Sequence, residues 1–386
     1  MKKIISIFLL VSLLYNCDNT PQKGEENAKQ TSISKDVIED DSSKVFLITL
    51  DGLRWQELFT GTDSLLVTNS KFVKDTARLK EKFWKDNYKS RRETLLPFFW
   101  NTIAKNGTIY GNRKYENYVN LTNTHGFSYP GYNEILCGYA DDENINTNDK
   151  NLNENQTVLE YLNKTKEFEG KVAAFASWDV FPYIINEERC GFPVNAGFEP
   201  VTTNPTDKEL LLNKIQAETH SPWHNVRLDV FTHNYALEYI AKKHPKLLYI
   251  GYGETDDFGH DGDYDFYLQS AQRTDNFIKE LWDTVQADPF YRDKTTFVIT
   301  TDHGRGSEPL ETWKDHGFGL KYHGKTFNIK GSEDTWLALL GPNIKKNGEV
   351  KEKGQLYSNQ IAATVALLLG KEYKQEKAGK AIILDK

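Results

Sequence analysis

Apolar residues in this chain gather into short runs that stop abruptly on acidic residues and glycine, instead of alternating with polar ones. Val45 to Leu50 stops at Asp51-Gly52, Val172 to Ser177 at Trp178-Asp179, Lys246 to Gly251 at YGETDDFGHDGD, and Thr295 to Thr301 at Asp302-His303-Gly304. A fifth run, Thr335 to Leu340, ends in Gly341-Pro342. Near-continuous runs of this length, rich in β-branched residues, are what strands covered on both faces look like, and such strands belong to parallel sheets. Between them lie stretches of helical character: the charged segment Leu65 to Phe99, expected on the surface over the sheet, a helix opening at Asn133-Glu134, Thr157 to Asn163, Val226 to Lys243 with Leu228, Phe231, Tyr235, Leu237, Tyr239 and Ile240 among its apolar positions, and a closing helix Asn359 to Leu369. The alternation predicts an α/β protein with a mostly parallel central sheet. In that architecture ligands bind beyond the carboxyl ends of the strands, where the acidic residues fall.

Composition narrows the class. The 386 residues are 38% hydrophobic and 13% aromatic, enough for a large core, and the balance of 48 basic and 55 acidic residues gives a net charge of -7. No basic stripe follows the chain, so nucleic acid is not expected as a structural partner, while small anions stay open as substrates if metal ions supply positive charge. Lys2-Lys3 followed by the apolar run Ile4 to Leu14 is too short to span a bilayer and predicts an export signal. Leu14-Tyr15-Asn16-Cys17 resembles a bacterial lipoprotein box, which implies a signal peptide over residues 1–17, a lipid on Cys17 and attachment to the cell envelope. Residues 18–44 are polar and without apolar period, as in a solvated tether, so a folded domain over residues 45–386 is expected. Cys137 and Cys190 are read as small buried residues or, alternatively, as a single bridge.

The candidate chemistry sits where the runs end. Asp302 and His303 offer a hard oxygen and an imidazole nitrogen at one strand terminus, and Asp51 offers a carboxylate at another. Asp256 and His260, four residues apart, share a side of a helical turn or a compact glycine loop, as a metal-binding pair requires; a solvated acidic turn is the alternative. In NTHGFSYPGYNEILCG, Ser128 is placed just before a helix N-terminus, where an anion is favoured, and it is either a helix cap or a nucleophile activated by metal. Trp55, Phe59, Trp178 and Phe181 line a pocket or belong to the core.

The order Asp51-Gly52, Ser128-Tyr129-Pro130-Gly131, Asp256-x-x-Gly259-His260, Asp302-His303-Gly304 and a later His-Gly resembles the alkaline phosphatase superfamily, and within it the type I phosphodiesterase/nucleotide pyrophosphatase branch. The resemblance spans Val45 to about Pro342. It implies a three-layer α/β/α fold and an exported hydrolase of phosphate esters holding two divalent ions, zinc or manganese. One ion would lie among Asp51, Ser128, Asp302 and His303, the other among Asp256, His260 and a later His, with Ser128 as nucleophile and Asn148 on a phosphoryl oxygen. Two residues compete for the later His. Trp313-Lys314-Asp315-His316-Gly317 has the local pattern, while His323-Gly324 has the family's spacing to Gly341-Pro342. Tyr132 stands where a formylglycine sulfatase requires Arg, which disfavours that reaction. A surface binding protein on a degenerate hydrolase fold and a phosphoglyceromutase-like phosphomutase are the remaining alternatives. The substrate's ester class and the oligomeric state do not follow from the sequence.

Overall fold

The computed structural model describes residues 42–322 and 325–384. The signal peptide and Cys17, nearly all of the tether, and His323 lie outside the described residues. Eight strands form the central sheet: β1 (Lys44–Leu50), β2 (Gly107–Tyr110), β3 (Val172–Ala176), β4 (Val194–Ala196), β5 (Leu247–Tyr252), β6 (Thr295–Thr300), β7 (Leu337–Leu340) and β8 (Gly348–Glu349). Their order across the sheet is β8-β2-β7-β6-β1-β5-β3-β4. β1 pairs in parallel with β5 and β6, and β3 joins β5 and β4 in parallel, so five neighbouring strands point one way. β7 runs antiparallel to both β6 and β2.

Successive residues of β1 face opposite sides, because side chains alternate along a strand. Phe46, Ile48 and Leu50 pack with Leu248, Ile250, Phe297 and Ile299 under one helical layer. Val45 and Leu47 pack with Leu247, Tyr249 and Val298 under the other. Both faces are dry, which explains the unbroken apolar runs. Each of these fully buried aliphatic or aromatic side chains stabilises the fold by roughly 1.5–3 kcal/mol.

Two helices carry candidate residues, α1 (Ser128–Cys137) and α2 (Glu254–His260), and a third, α3 (Tyr264–Ala287), comes directly after α2 in the chain. The charged segment Leu65 to Phe99 forms two helices, Thr76–Phe83 and Tyr88–Leu95, whose Leu79, Phe83 and Leu95 are buried against the sheet. The expected helices at 157, 226 and 359 start slightly later, as Val158–Asn163, Asp229–Lys243 and Ile361–Leu368. Thr157 is the cap of its helix and accepts a hydrogen bond from the Glu160 amide. The run Thr335 to Leu340 is split: Asp334–Thr335 joins a small separate sheet, and only Leu337–Leu340 enters the central one. Cys137 and Cys190 are both buried and unbridged, which leaves the reading as small core residues. Phe59, Trp178 and Phe181 lie in the two cores, and Trp55 packs half-buried against one of them.

Candidate metal centre

Register places the chemistry. Leu50 of β1 lies beside Tyr252 of β5, and Thr49 lies beside Thr300 of β6, so the three strands end level. Asp51, the turn into α2, and Asp302-His303 are therefore side by side without any long reach of side chains. Gly52 follows Asp51 with φ +58°, a conformation other residues rarely adopt, and a Cβ there would lie 2.6 Å from an Asp256 oxygen. Its amide donates instead to Asp302 Oδ1 at 3.1 Å.

One group of side chains is deep. His303 Nε2 stands 3.2 Å from Asp51 Oδ1 and 3.4 Å from Asp302 Oδ2, and all three residues are buried. Asp51 Oδ1 and Asp302 Oδ2 have no hydrogen-bond donor. Two carboxylates this close, each missing a partner, carry a cost that a cation would remove. Burial, and then the charge of Asp256, raises the Asp51 carboxyl above its usual range; burial, and then Asp51, pushes Asp302 well above it. Burial alone would make the His303 ring neutral, but Asp302 and then Asp51 push it up to about 9, so in the metal-free protein a proton occupies the place of positive charge.

A second group lies toward solvent. Asp256 and His260 sit on α2 one turn apart, with His260 Nε2 3.2 Å from Asp256 Oδ2. His316 Nε2 lies 2.9 Å from His260 Nε2 and 3.5 Å from Asp256 Oδ1. Burial disfavours charge on Asp256, yet His260 and Arg305 outweigh it and hold this carboxyl well below the usual range. Burial and then His303 keep the His316 ring well below its usual range, in the neutral form a ligand needs. His303 bridges the groups, 3.8 Å from Asp256 Oδ1 and stacked on the His316 ring at 3.7 Å.

Ligands of a tetrahedral ion with bonds of about 2.1 Å stand roughly 3.4 Å apart. The separations here, 2.9 to 3.5 Å within each group, fit that spacing. Asp51, Asp302 and His303 form one candidate cluster, and Asp256, His303 and His316 another. The acidic turn is thus a helical turn with its carboxylate and imidazole aimed into a site. Of the two competing histidines, His316 is at the site.

Ser128 is not a cap. Phe127 occupies that position, and Ser128 is the first residue of α1, buried, with Oγ 3.3 Å from His303 Nε2. The Glu134 carboxylate, further along α1 and buried, accepts the amides of Thr122 and Asn123, and Asn123 Oδ1 accepts those of His125 and Gly126, which fixes the loop leading to Ser128. His125 faces away, with Nε2 3.0 Å from the Asp142 carbonyl oxygen. Asn148 Oδ1 accepts the Tyr129 amide at 3.0 Å, which sets its side chain beside the α1 N-terminus. Near it is a cavity of about 350 Å³ lined by Tyr129, Asn146, Thr147 and Asn151 among others.

Two residues of the site were given no part in it from the sequence. Tyr132 donates to Asp51 Oδ2 at 2.9 Å from one turn beyond Ser128, and its i+4 spacing was the available signal. Arg305 closes the stretch KTTFVITTDHGRG and bonds Asp256 from below, a contact across 49 residues that no local pattern announces.

Comparison with known proteins agrees with this architecture. Residues 227–372 match the Metalloenzyme superfamily, a span that holds Asp256, His260, Asp302, His303 and His316. The lipoteichoic acid synthase LtaP from Listeria monocytogenes superposes with a TM-score of 0.56 at 12% identity, covering 90% of this chain and 77% of that one. The alkaline phosphatase PafA gives 0.54 at 11% identity, over 88% and 98% of the respective chains. Murine ectonucleotide pyrophosphatase / phosphodiesterase 5 gives 0.53 at 14%, over 87% and 97%. A segment of 76 residues is 33% identical to the 2,3-bisphosphoglycerate-independent phosphoglycerate mutase of Gracilaria tenuistipitata var. liui; it makes up 20% of this chain and only 14% of that protein. At these identities the likeness of this chain to the solved structures is one of fold. The sheet, with the site at the strand carboxyl ends, is the fold those neighbours share.

Proposed function

We propose that this protein is an exported hydrolase of phosphate esters, of the phosphomonoesterase or phosphodiesterase/pyrophosphatase kind, that uses two divalent ions, zinc in first place, and Ser128 as nucleophile. The observation that carries the reading is the position of Ser128 Oγ. It lies on the first turn of a ten-residue helix and within 3.3 Å of a buried cluster whose two carboxylates each leave an oxygen unpartnered. Asp51, Asp302 and His303 would hold one ion with Ser128, and Asp256, His260 and His316 the other. When bound, the ions supply a lowered pKa for the serine hydroxyl and positive charge for the phosphoryl oxygens.

The rest is done by the chain. The dipole of the α1 N-terminus favours a phosphoryl group in front of Ser128. Asn148, whose Oδ1 accepts the Tyr129 amide, would donate its own amide to a phosphoryl oxygen. Tyr132 holds the Asp51 carboxylate in a single rotation. Ser128 Oγ attacks phosphorus as one ester oxygen leaves, and water then releases the phosphoryl group from the serine, as phosphate from a monoester or as a phosphate monoester from a diester. Two enzymes among the structural neighbours, an alkaline phosphatase and a pyrophosphatase / phosphodiesterase, are named for such esters and support this class. The short mutase match favours a second reading, return of the phosphoryl group to a sugar-acid hydroxyl instead of water.

Turnover of nitrophenyl mono- and diesters, with free phosphate measured, tests the proposal. Ser128→Ala should lower the rate by several powers of ten while the melting temperature and metal content match the parent. A variant within tenfold of the parent would refute the serine route, and transfer of the phosphoryl group from the monoester to an added sugar acid in place of water would turn the choice to the mutase. The envelope address has its own test. Cys17→Ser should move the protein out of the membrane fraction, since the described residues contain no helix long and apolar enough to cross a membrane.

A further inference from the structure

Arg305 is buried, and everything its guanidinium bonds belongs to the outer group or to the segment that delivers it. One terminal nitrogen donates to Asp256 Oδ1 and the other to the Lys314 carbonyl oxygen, while Nε donates to the Trp313 carbonyl oxygen at 2.9 Å. Trp313 and Lys314 close the short 3-10 turn Leu310–Lys314, and His316 is two residues further on. One planar group thus ties a carboxylate on α2 to the backbone that carries an imidazole from a different part of the chain. Its neighbours on the other side are glycines. A Cβ on Gly259 would lie 2.7 Å from the guanidinium carbon, and one on Gly52 would lie 2.9 Å from a terminal nitrogen. The glycine between Asp256 and His260 is therefore needed for the close approach of Arg305, not for the helix.

We propose that Arg305 is a positioning residue for the outer metal site, holding Asp256 and the His316 segment at the separation an ion requires. This rests on the two-ion reading above. The fork geometry is essential to it, since three donors in one plane reach one carboxylate and two carbonyls, and a lysine ammonium cannot span all three. Coulomb repulsion makes the opposite forecast. A fixed positive charge beside a cation site weakens cation binding, so if charge were the only effect, removing Arg305 would tighten the outer ion.

Metal content and affinity separate the two. In equilibrium dialysis against zinc, the parent should bind two ions; Arg305→Met and Arg305→Lys should keep the deep ion and bind the outer one at least tenfold more weakly, with lysine the milder change. Gly259→Ala keeps the arginine and a helix-compatible backbone but pushes a methyl onto the guanidinium, and it should show the same selective loss. That variant decides the matter if the arginine substitutions fail to fold. Kinetically, the variants should recover parental turnover at high zinc. Folded variants that bind both ions as the parent does, or the outer ion more tightly, would overturn the positioning role. A parent that binds no ion would instead overturn the proposed function itself.

Discussion

The two groups of candidate ligands lie a few ångströms apart and differ in almost every physical respect. The deep one, Asp51, Asp302 and His303, is closed to solvent and has two carboxylate oxygens with no donor. The outer one has its oxygens taken by Arg305 and His260, and the His260 side chain is 44% exposed. The deep group is incomplete without a cation, while the outer group is largely satisfied by the protein. An ion should accordingly be retained by the first and exchanged by the second.

The largest effect should come from breaking the deep group. Asp302→Asn is expected to abolish binding of the deep ion and lower ester turnover by at least about a thousandfold, whereas His260→Ala should lose only the outer ion and a smaller part of the rate. Elemental analysis of the two purified variants checks this, and equal loss of both ions from either would remove the distinction.

pH sharpens the comparison with a middling effect. In the metal-free protein the Asp51 and Asp302 carboxyls are raised and His303 is pushed up to about 9. Groups whose folded pKa is raised contribute stability at low pH and lose it as pH climbs through the folded value. Chelated protein should then become less stable between about pH 6.5 and 9, while the loaded protein, whose ion replaces the proton, should not. The difference in melting temperature between the two should widen as pH rises, and a constant gap would contradict the assignment of the deep ligands.

The smallest effect serves as a control. His233 is as buried as His303 but satisfied, with Nδ1 3.0 Å from the Tyr252 hydroxyl, Nε2 3.2 Å from Glu280, and its ring stacked on Phe277. Burial lowers it to about 4, against a weaker opposing pull from Glu280. Its contribution is present above about pH 6.5 and lost as pH falls toward 4, up to roughly 3 kcal/mol. His233→Gln should flatten that acid limb in denaturant melts, equally with and without chelator. A chelator-dependent change would mean that this histidine also answers to the metal site.

Most of the frame was legible in the chain because parallel strands buried on both faces have to be apolar throughout and have to end in polar loops. Asp51, Asp256 and Asp302 could be found that way, and His260 by its one-turn spacing from Asp256. Less could be read where spatial neighbours are far apart in sequence. Tyr132 and Arg305 carry ordinary local contexts, and only the fold shows that one holds Asp51 and the other Asp256. His316 reaches the site because its loop folds back there, which spacing does not encode, while His323 lies outside the described residues. The helix Tyr264–Ala287 was legible but unassigned: Tyr264, Tyr267, Leu268, Ala271, Ile278, Leu281 and Val285 form its buried stripe, and Asp263 caps it through the Phe266 amide. The acidic loop before it masked its start.

The place of β1 in the sheet has a consequence for how the protein comes into being. This first strand, Lys44–Leu50, is inserted between Leu247–Tyr252 and Thr295–Thr300, so both of its neighbours are made some two hundred residues or more after it. A chain that emerges amino end first leaves β1 without its full set of partners until more than three quarters of its length has appeared, and long-range parallel pairing of this kind is slow. His316 comes later still. Synthesis is therefore nearly over before the set of candidate ligands can close, and any ion they hold would be taken up by an almost finished chain in whatever compartment that chain has reached.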